Sequence, residues 1–239
     1  MTTSEQVDLD IDSPNNNFSW LKKYAIAYPV NGDCVKILKE PVEFYDELIR
    51  GAQTSEKRIV MSALYLGTDK KEHGLVNTIE NSLKSKDLQV KFLLDFCRGS
   101  RGKNSSRTTL LPLLEKYSDN VKVSLFHSPL LRGFLKTYLG ERFNEVVGLQ
   151  HTKFYVFDDT IILSGANLST DYFEKRQDRY VVLEKCPELA DYFENLLEAI
   201  SSFSYSLKAN NEVEFSAECP ENPKSMVTLI NFLSLQEQK

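Results

Sequence analysis

"LQHTKFYVFDDTIILSGANLS", residues 149–169, sets a histidine, a lysine and two aspartates among residues that otherwise read as two buried strands. "FYVF" and "TIIL" are aromatic and β-branched runs of strand length, and "DDT" between them is turn chemistry, so the stretch predicts a hairpin. Its first strand is expected to start at His151. Side chains two apart on a strand share a face, so His151 and Lys153 should point one way and Thr152, Phe154 and Val156 the other. Asp158 would close that strand and Asn167 the returning one. The reading therefore gathers an imidazole, an ammonium, a carboxylate and an amide at one edge of a sheet.

Such a group suits attack on a phosphodiester. Neutral imidazole is a competent nucleophile toward phosphorus, and a lysine ammonium with an amide N–H can stabilise the equatorial oxygens as charge shifts. A carboxylate can hold the histidine's tautomer, and Asp178 on the following strand is the candidate for that part. The lysine supplies the positive charge, so the chemistry requires neither a metal nor a cofactor. The other two histidines carry less: His127 ends a strand, where a structural hydrogen bond is the expected role, and His73 is expected on the surface near a helix start.

Outward from this stretch the pattern alternates. "EPVEFYDELIRGAQ" (40–53) places Phe44, Tyr45, Leu48, Ile49 and Ala52 on one helical face with Pro41 in the first turn. Strands are expected at 58–67, 88–96, 121–127 and 178–185, and helices at 73–86, 109–119 and 187–203. Pro112 should be tolerable only in the first turn of its helix. Strands alternating with helices indicate an α/β layered domain, and the consecutive strands between 151 and 185 indicate a mixed rather than purely parallel sheet. Residues 1–18 are polar and expected not to order, 19–205 should form the folded module, and 206–239 read as a linker with a short helix.

Composition narrows the function classes. A net charge of −5 and a pI near 5.4 argue against a surface built to neutralise nucleic acid, leaving room only for a local anion site. Cys34, Cys97, Cys186 and Cys219 form no metal-binding or disulfide spacing. No apolar run approaches the roughly 20 residues of a spanning helix. The acidic start "MTTSEQVDLDIDSPNNN" has the character of neither a signal peptide nor a transit peptide.

His151, Lys153 and Asp158 fit HxKx4D, and the chain thereby resembles the phospholipase D superfamily, which implies an α/β/α sandwich with a mixed sheet. Ser164-Gly165-Ala166-Asn167 is similar to its GSxN element, with the first two residues exchanged and the spacing shortened, so either Ser164 or Ser169 stands for the oxygen-binding hydroxyl. A closer resemblance covers most of residues 20–205. "DFCRGSRG" (95–102), "HSPLLRGFLKTYLGERFNEVVGLQHTKFYVFDD" (127–159) and "SGANLSTDYFEKRQDRY" (164–180) look like the eukaryotic phosphatidylglycerophosphate synthases. The resemblance implies transfer of a phosphatidyl group from CDP-diacylglycerol to glycerol 3-phosphate through a phosphohistidine, releasing CMP, in phosphatidylglycerol and cardiolipin synthesis.

Beside that resemblance, Arg98, Arg101, Lys103 and Arg107 lie in a Gly/Ser-rich loop after a strand, a fitting cradle for substrate phosphate or else a solvated basic loop. Leu131, Phe134, Leu135 and Tyr138 fall on one helical face with basic residues nearby, suited to a membrane surface or to an ordinary core. Family members carry a second HxKx4D in a C-terminal half, whereas these 239 residues hold one. Three readings follow: a half-site of the synthase with little activity alone, a homodimer pooling two motifs, or a phosphodiesterase acting on nucleic acid, which the charge disfavours. The resemblance also implies peripheral attachment to the mitochondrial inner membrane.

Overall fold

The computed structural model describes residues 19–128 and 149–215. The chain runs β1 (Val35–Leu38), α1 (Pro41–Thr54), β2 (Arg58–Ser62), α2 (Lys70–Leu83), β3 (Gln89–Asp95), α3 (Phe96–Gly99), α4 (Ser106–Lys116), β4 (Val121–Phe126), β5 (Phe154–Phe157), β6 (Thr160–Ser164), α5 (Thr170–Glu174), β7 (Tyr180–Leu183), α6 (Pro187–Ser201), β8 (Tyr205–Leu207) and β9 (Val213–Phe215). All these strands join one sheet in the order β1-β7-β6-β5-β2-β3-β4-β8-β9. β2, β3 and β4 are parallel, as strands joined by crossover helices must be. β5 lies antiparallel against β2, and β6, β7 and β1 continue antiparallel from it. The sheet is mixed and the fold is α/β.

Alternation along the central strands sends side chains into two separate cores. Ile59, Met61, Phe92, Leu94, Tyr155 and Phe157 pack with Phe44 and Leu48 of α1, Leu75 and Ile79 of α2, and Leu110 and Leu113 of α4. Val60, Leu93, Phe154 and Val156 turn to the opposite face and pack under Ala190 and Leu197 of α6. Helices thus cover both faces, which gives the sandwich its three layers. An ion network ties α6 down: Arg58 reaches Asp191 and Glu194, and Lys91 reaches Glu194 and Glu198.

Phe44 sits at the centre of the first core. Its ring stacks on Tyr180 at 4.9 Å and meets Tyr155 at 5.5 Å and Phe173 at 5.9 Å, so one α1 residue touches β5, α5 and β7. Phe44→Ala should therefore cost roughly 3–5 kcal/mol, the range for emptying a buried aromatic site. Chemical denaturation of the two proteins checks it; a loss under ~1 kcal/mol would contradict the central placement.

Several boundaries differ from expectation. α4 starts at Ser106, capped by Ser105 whose N–H donates to Thr108 Oγ1 at 2.9 Å, so Pro112 lies inside the helix rather than in its first turn. β8 and β9 extend the sheet beyond β4 to Phe215, ten residues past the expected end of the module at 205, with the Tyr205 and Phe215 rings 4.0 Å apart. The strand expected over 58–67 stops at Ser62, because beyond Ala63, whose N–H still reaches β3, the backbone N–H groups take partners outside the ladder. Ala63 donates to Leu93 O, Leu64 to Asn167 Oδ1, Leu66 to Ser106 Oγ and Gly67 to Leu168 O. The expectations for residues 1–18 and for most of 206–239 lie outside the described residues.

Candidate active site

The parallel strands β2, β3 and β4 end at Ser62, Asp95 and Phe126, and the antiparallel meander returns its own residues to that same end. Phe154 pairs with Ser62, Leu163 with Phe154, and Tyr180 with Ser164. Residues just before β5, just after β6 and just before β7 consequently meet beyond the carboxyl ends of the parallel strands. That is where open α/β sheets bind ligands. His151, Lys153, Ser164, Asn167, Ser169 and Asp178 all arrive there.

His151 is exposed, and Lys153 is half-buried with its Nζ donating to the His151 carbonyl at 2.8 Å. Partial burial, reinforced by the Lys153 ammonium, holds the His151 imidazole below its ordinary 6.5. The group is therefore largely neutral at pH 7, as a nucleophile must be. Burial also lowers Lys153, and the Asp178 carboxylate opposes that shift and so helps keep the ammonium charged. Asp178 itself accepts the N–H groups of Gly165 at 3.0 Å and Arg179 at 2.7 Å. A Cβ at position 165 would stand 2.8 Å from an Asp178 carboxylate oxygen, so glycine lets Asp178 keep this placement.

Asn167 is buried and oriented by the Leu64 N–H, which donates to its Oδ1 at 3.2 Å. With Oδ1 so engaged, the amide's Nδ2 is the face left for an anionic oxygen. Ser164 Oγ accepts the Ala166 N–H at 3.0 Å, and Ser169 Oγ lies 3.3 Å from the Tyr65 hydroxyl, so both hydroxyls stay at this end. Buried Glu72 fixes the start of α5 beyond Asn167 by accepting the Thr170 N–H and, at 2.9 Å, its hydroxyl.

Asp158 does not join this group. It follows β5 at the opposite end, on the order of 16 Å from Lys153 at the ~3.3 Å rise of a strand. There its carboxylate accepts three backbone N–H groups, Glu56 and Lys57 at 2.8 Å and Arg58 at 3.0 Å. The aspartate of the motif is a fastener between the α1–β2 connection and the β5–β6 turn. A surface hollow of about 460 Å³ lined by Glu47, Arg50, Asp158 and Lys185 lies at this far end, away from His151.

The basic loop divides as well. Arg98 lies on α3 with its guanidinium 5.2 Å from the Tyr65 ring centre, so it faces the site, and Arg101 and Lys103 follow on the exposed loop. Arg107 is turned away: it binds Asn211 through the side-chain oxygen at 3.0 Å and through the carbonyl, anchoring the β8–β9 turn. Leu131, Phe134, Leu135 and Tyr138 lie outside the described residues. His127 is buried against Phe96 and Tyr205 with Nδ1 3.0 Å from Ser128 O, and His73 is exposed, both as expected. Tyr65, Asp95 and Gln150 reach the site without a motif to announce them.

The family model described as "Cardiolipin synthase, PLD-like domain" matches residues 45–201. The chain belongs to that family. The CDP-diacylglycerol–glycerol-3-phosphate 3-phosphatidyltransferase of Gallus gallus, named as mitochondrial, is 47% identical over 206 residues, covering 83% of this chain and 37% of that protein. The chain thus spans little more than a third of the length of that relative. Among solved structures, phosphatidylserine synthase from Haemophilus influenzae Rd KW20 superposes with a TM-score of 0.60 at 25% identity, over 72% of this chain and 37% of that one. Nuc from Salmonella typhimurium, a phospholipase D family member, shares the fold with a TM-score of 0.54 at 16% identity, over 73% of this chain and 97% of that one. Membership of the PLD-like family fits the HxK pair, the Asn167 amide and the Asp178 carboxylate at one sheet end.

Proposed function

We propose that this chain carries a phosphatidyl-transfer site that takes CDP-diacylglycerol as donor and glycerol 3-phosphate as acceptor. The observation that carries the reading is the convergence of neutral His151, Lys153, Asn167 and Asp178 beyond the carboxyl ends of the parallel strands. The similarity to the named transferases supports this choice of substrates.

In the reaction, the imidazole nitrogen attacks the phosphorus bearing the diacylglycerol. The P–O bond to CMP breaks, its electron pair leaves on the CMP phosphate, and a phosphatidyl-histidine remains. A hydroxyl of glycerol 3-phosphate then attacks that phosphorus and passes its proton to the acid–base group of the second motif, while the P–N bond breaks and its electron pair returns to the histidine. Lys153 and the Asn167 amide stabilise the equatorial oxygens, while Arg98, Arg101 and Lys103 supply charge for the second phosphate group. Loss of CMP calls for a general acid toward the leaving group, a part the family assigns to a second HxKx4D. That motif comes either from the rest of a longer protein or from a second copy of this chain.

The substrate is a lipid, so in this proposal the site works peripherally at a bilayer surface, that of the mitochondrial inner membrane; the relatives' names, which say mitochondrial, support the organelle. The docking element of this reading is the apolar set Leu131, Phe134, Leu135 and Tyr138, chosen on its sequence pattern alone. Among the described residues no helix is long and apolar enough to cross a membrane.

The test is CMP release from CDP-diacylglycerol in mixed micelles with glycerol 3-phosphate, over a range of protein concentration. Release that rises faster than linearly marks a site pooled from two chains. Release absent from the chain alone but restored on adding a separate polypeptide that carries the second motif marks a half-site. Release in neither arrangement overturns the proposal. The rate should also climb with pH as His151 loses its proton, with a midpoint below 6.5 because burial and Lys153 favour the neutral ring. A midpoint above 6.5 would remove His151 as the attacking base.

A further inference from the structure

His151 must be held in register, yet it lies outside the sheet ladder. The last paired residues of β5 and β2 are Phe154 and Ser62, and residues 149–153 run on beyond them with no strand pairing. Side chains replace the missing ladder. Ser62 Oγ donates to Thr152 O at 3.1 Å and lies 2.9 Å from Thr152 Oγ1. Gln150 Nε2 donates to both hydroxyls, to Ser62 Oγ at 2.5 Å and to Thr152 Oγ1 at 2.8 Å. The three groups close a triangle in which Ser62 donates once and accepts twice, Thr152 donates and accepts, and both amide hydrogens are used.

The second anchor comes from β3. Asp95, 2% exposed, accepts the Gln150 N–H at 3.3 Å with one carboxylate oxygen and the Arg98 N–H at 2.9 Å with the other. One buried carboxylate therefore joins the segment bearing His151 to the loop bearing Arg98. Gln150 is 4% exposed and its Oε1 is buried without a hydrogen-bond partner. A leucine would fill such a site without that desolvation cost, so packing alone does not account for a glutamine here.

We propose that Ser62, Gln150, Thr152 and Asp95 form a splint that positions His151 from both flanks and sets it against the Arg98 loop. It rests on the reading of His151 as the reacting group. Gln150 and Thr152 are its immediate neighbours, so fixing both fixes the backbone from which the imidazole projects. The four act through the backbone on either side of His151, as positioning residues.

The experiment is a titration of the three histidine imidazoles of the full chain by proton NMR, with His151→Ala to assign the resonance, in wild type, Ser62→Ala, Thr152→Val and Thr152→Ser. Freed from the splint, residues 150–152 move toward water, so the His151 ring loses the partial burial that lowers its midpoint and separates from the Lys153 ammonium; Lys153 and its partner Asp178 are the charged groups at that position. The His151 midpoint should then rise toward 6.5 in Ser62→Ala and Thr152→Val, while His73 and His127 stay fixed. Thr152→Ser, which keeps the hydroxyl, should retain the wild-type midpoint. Thr152 is exposed, so its variants fold even if Ser62→Ala does not. An unchanged His151 midpoint in Thr152→Val overturns the splint. The readout needs no turnover, so a chain that releases no CMP bears on the proposed function alone. Where CMP release is measurable, Ser62→Ala and Thr152→Val should lower kcat about tenfold or more with KM little changed, the pattern of a misplaced nucleophile, and Thr152→Ser should not.

Discussion

His151→Ala should abolish CMP release, by a factor on the order of 10³ or more, while leaving thermal stability where it was. The two halves of that expectation have separate causes. Truncation removes the nitrogen that forms the covalent link to phosphorus in the proposed reaction, and among the described residues neither Lys153, an ammonium bonded to the His151 carbonyl, nor His127, buried between Phe96 and Tyr205, is placed to replace it. Stability is spared because His151 is exposed and outside the ladder, where substitutions usually fall within ~0.5 kcal/mol. The measurement is CMP release beside a melting curve, at a protein concentration where the wild type is active. A variant retaining a tenth of wild-type release would move the nucleophile elsewhere. The expectation distinguishes His151 from Lys153, whose loss should slow the reaction about 10²–10³-fold, the cost of one charge-stabilising donor.

The sequence carried the sheet further than it carried the site. The pattern of Phe154 to Phe157 and Thr160 to Ser164 announced a hairpin, and the apolar face of α1 announced its packing, because burial on a sheet or helix imposes a period that a single chain records. The reach of β5 was not recorded. Nothing in "LQHTK" says that Ser62 will satisfy Thr152 through its side chain rather than through a ladder. Arg107 failed for a related reason: a basic loop shows charge, but the carbonyl that captures this residue belongs to Asn211, far along the chain. β8 and β9 are only three residues each, too short for a periodic signal, and β8 is held by pairing Tyr205 and Ser206 with Leu125 and Ser124 of β4. Pro112 shows that a helix already capped by Ser105 and packed through Leu110 and Leu113 can absorb the donor a proline lacks. The HxKx4D match named three residues as one unit, and the fold separates them, because a strand carries its two ends to opposite edges of the sheet.

That separation makes Asp158→Ala the counterpart of His151→Ala: a large loss of stability with the His151 chemistry unimpaired in the molecules that remain folded. The Asp158 carboxylate accepts the N–H groups of Glu56, Lys57 and Arg58, so alanine leaves three donors at the start of β2 without their acceptor. Asp158 also sits at φ 50°, a left-handed conformation that aspartate and asparagine tolerate better than alanine. Hydrogen bonds to a charged acceptor are worth about 1.5–3 kcal/mol each, and water can reach part of this turn, so a net loss of roughly 2–4 kcal/mol is expected. In a domain of this size that is a fall in Tm of about 5–15 °C. Asp158→Asn keeps one acceptor and the tolerance for positive φ, and should recover about half of the loss. The decisive pairing is Tm against the His151 titration midpoint, measured well below the melting temperature. A stable Asp158→Ala whose His151 midpoint moves would place the aspartate in the active site after all. A destabilised protein with the midpoint unmoved means that the motif's aspartate holds the strand from its far end and is no partner of the His151 imidazole.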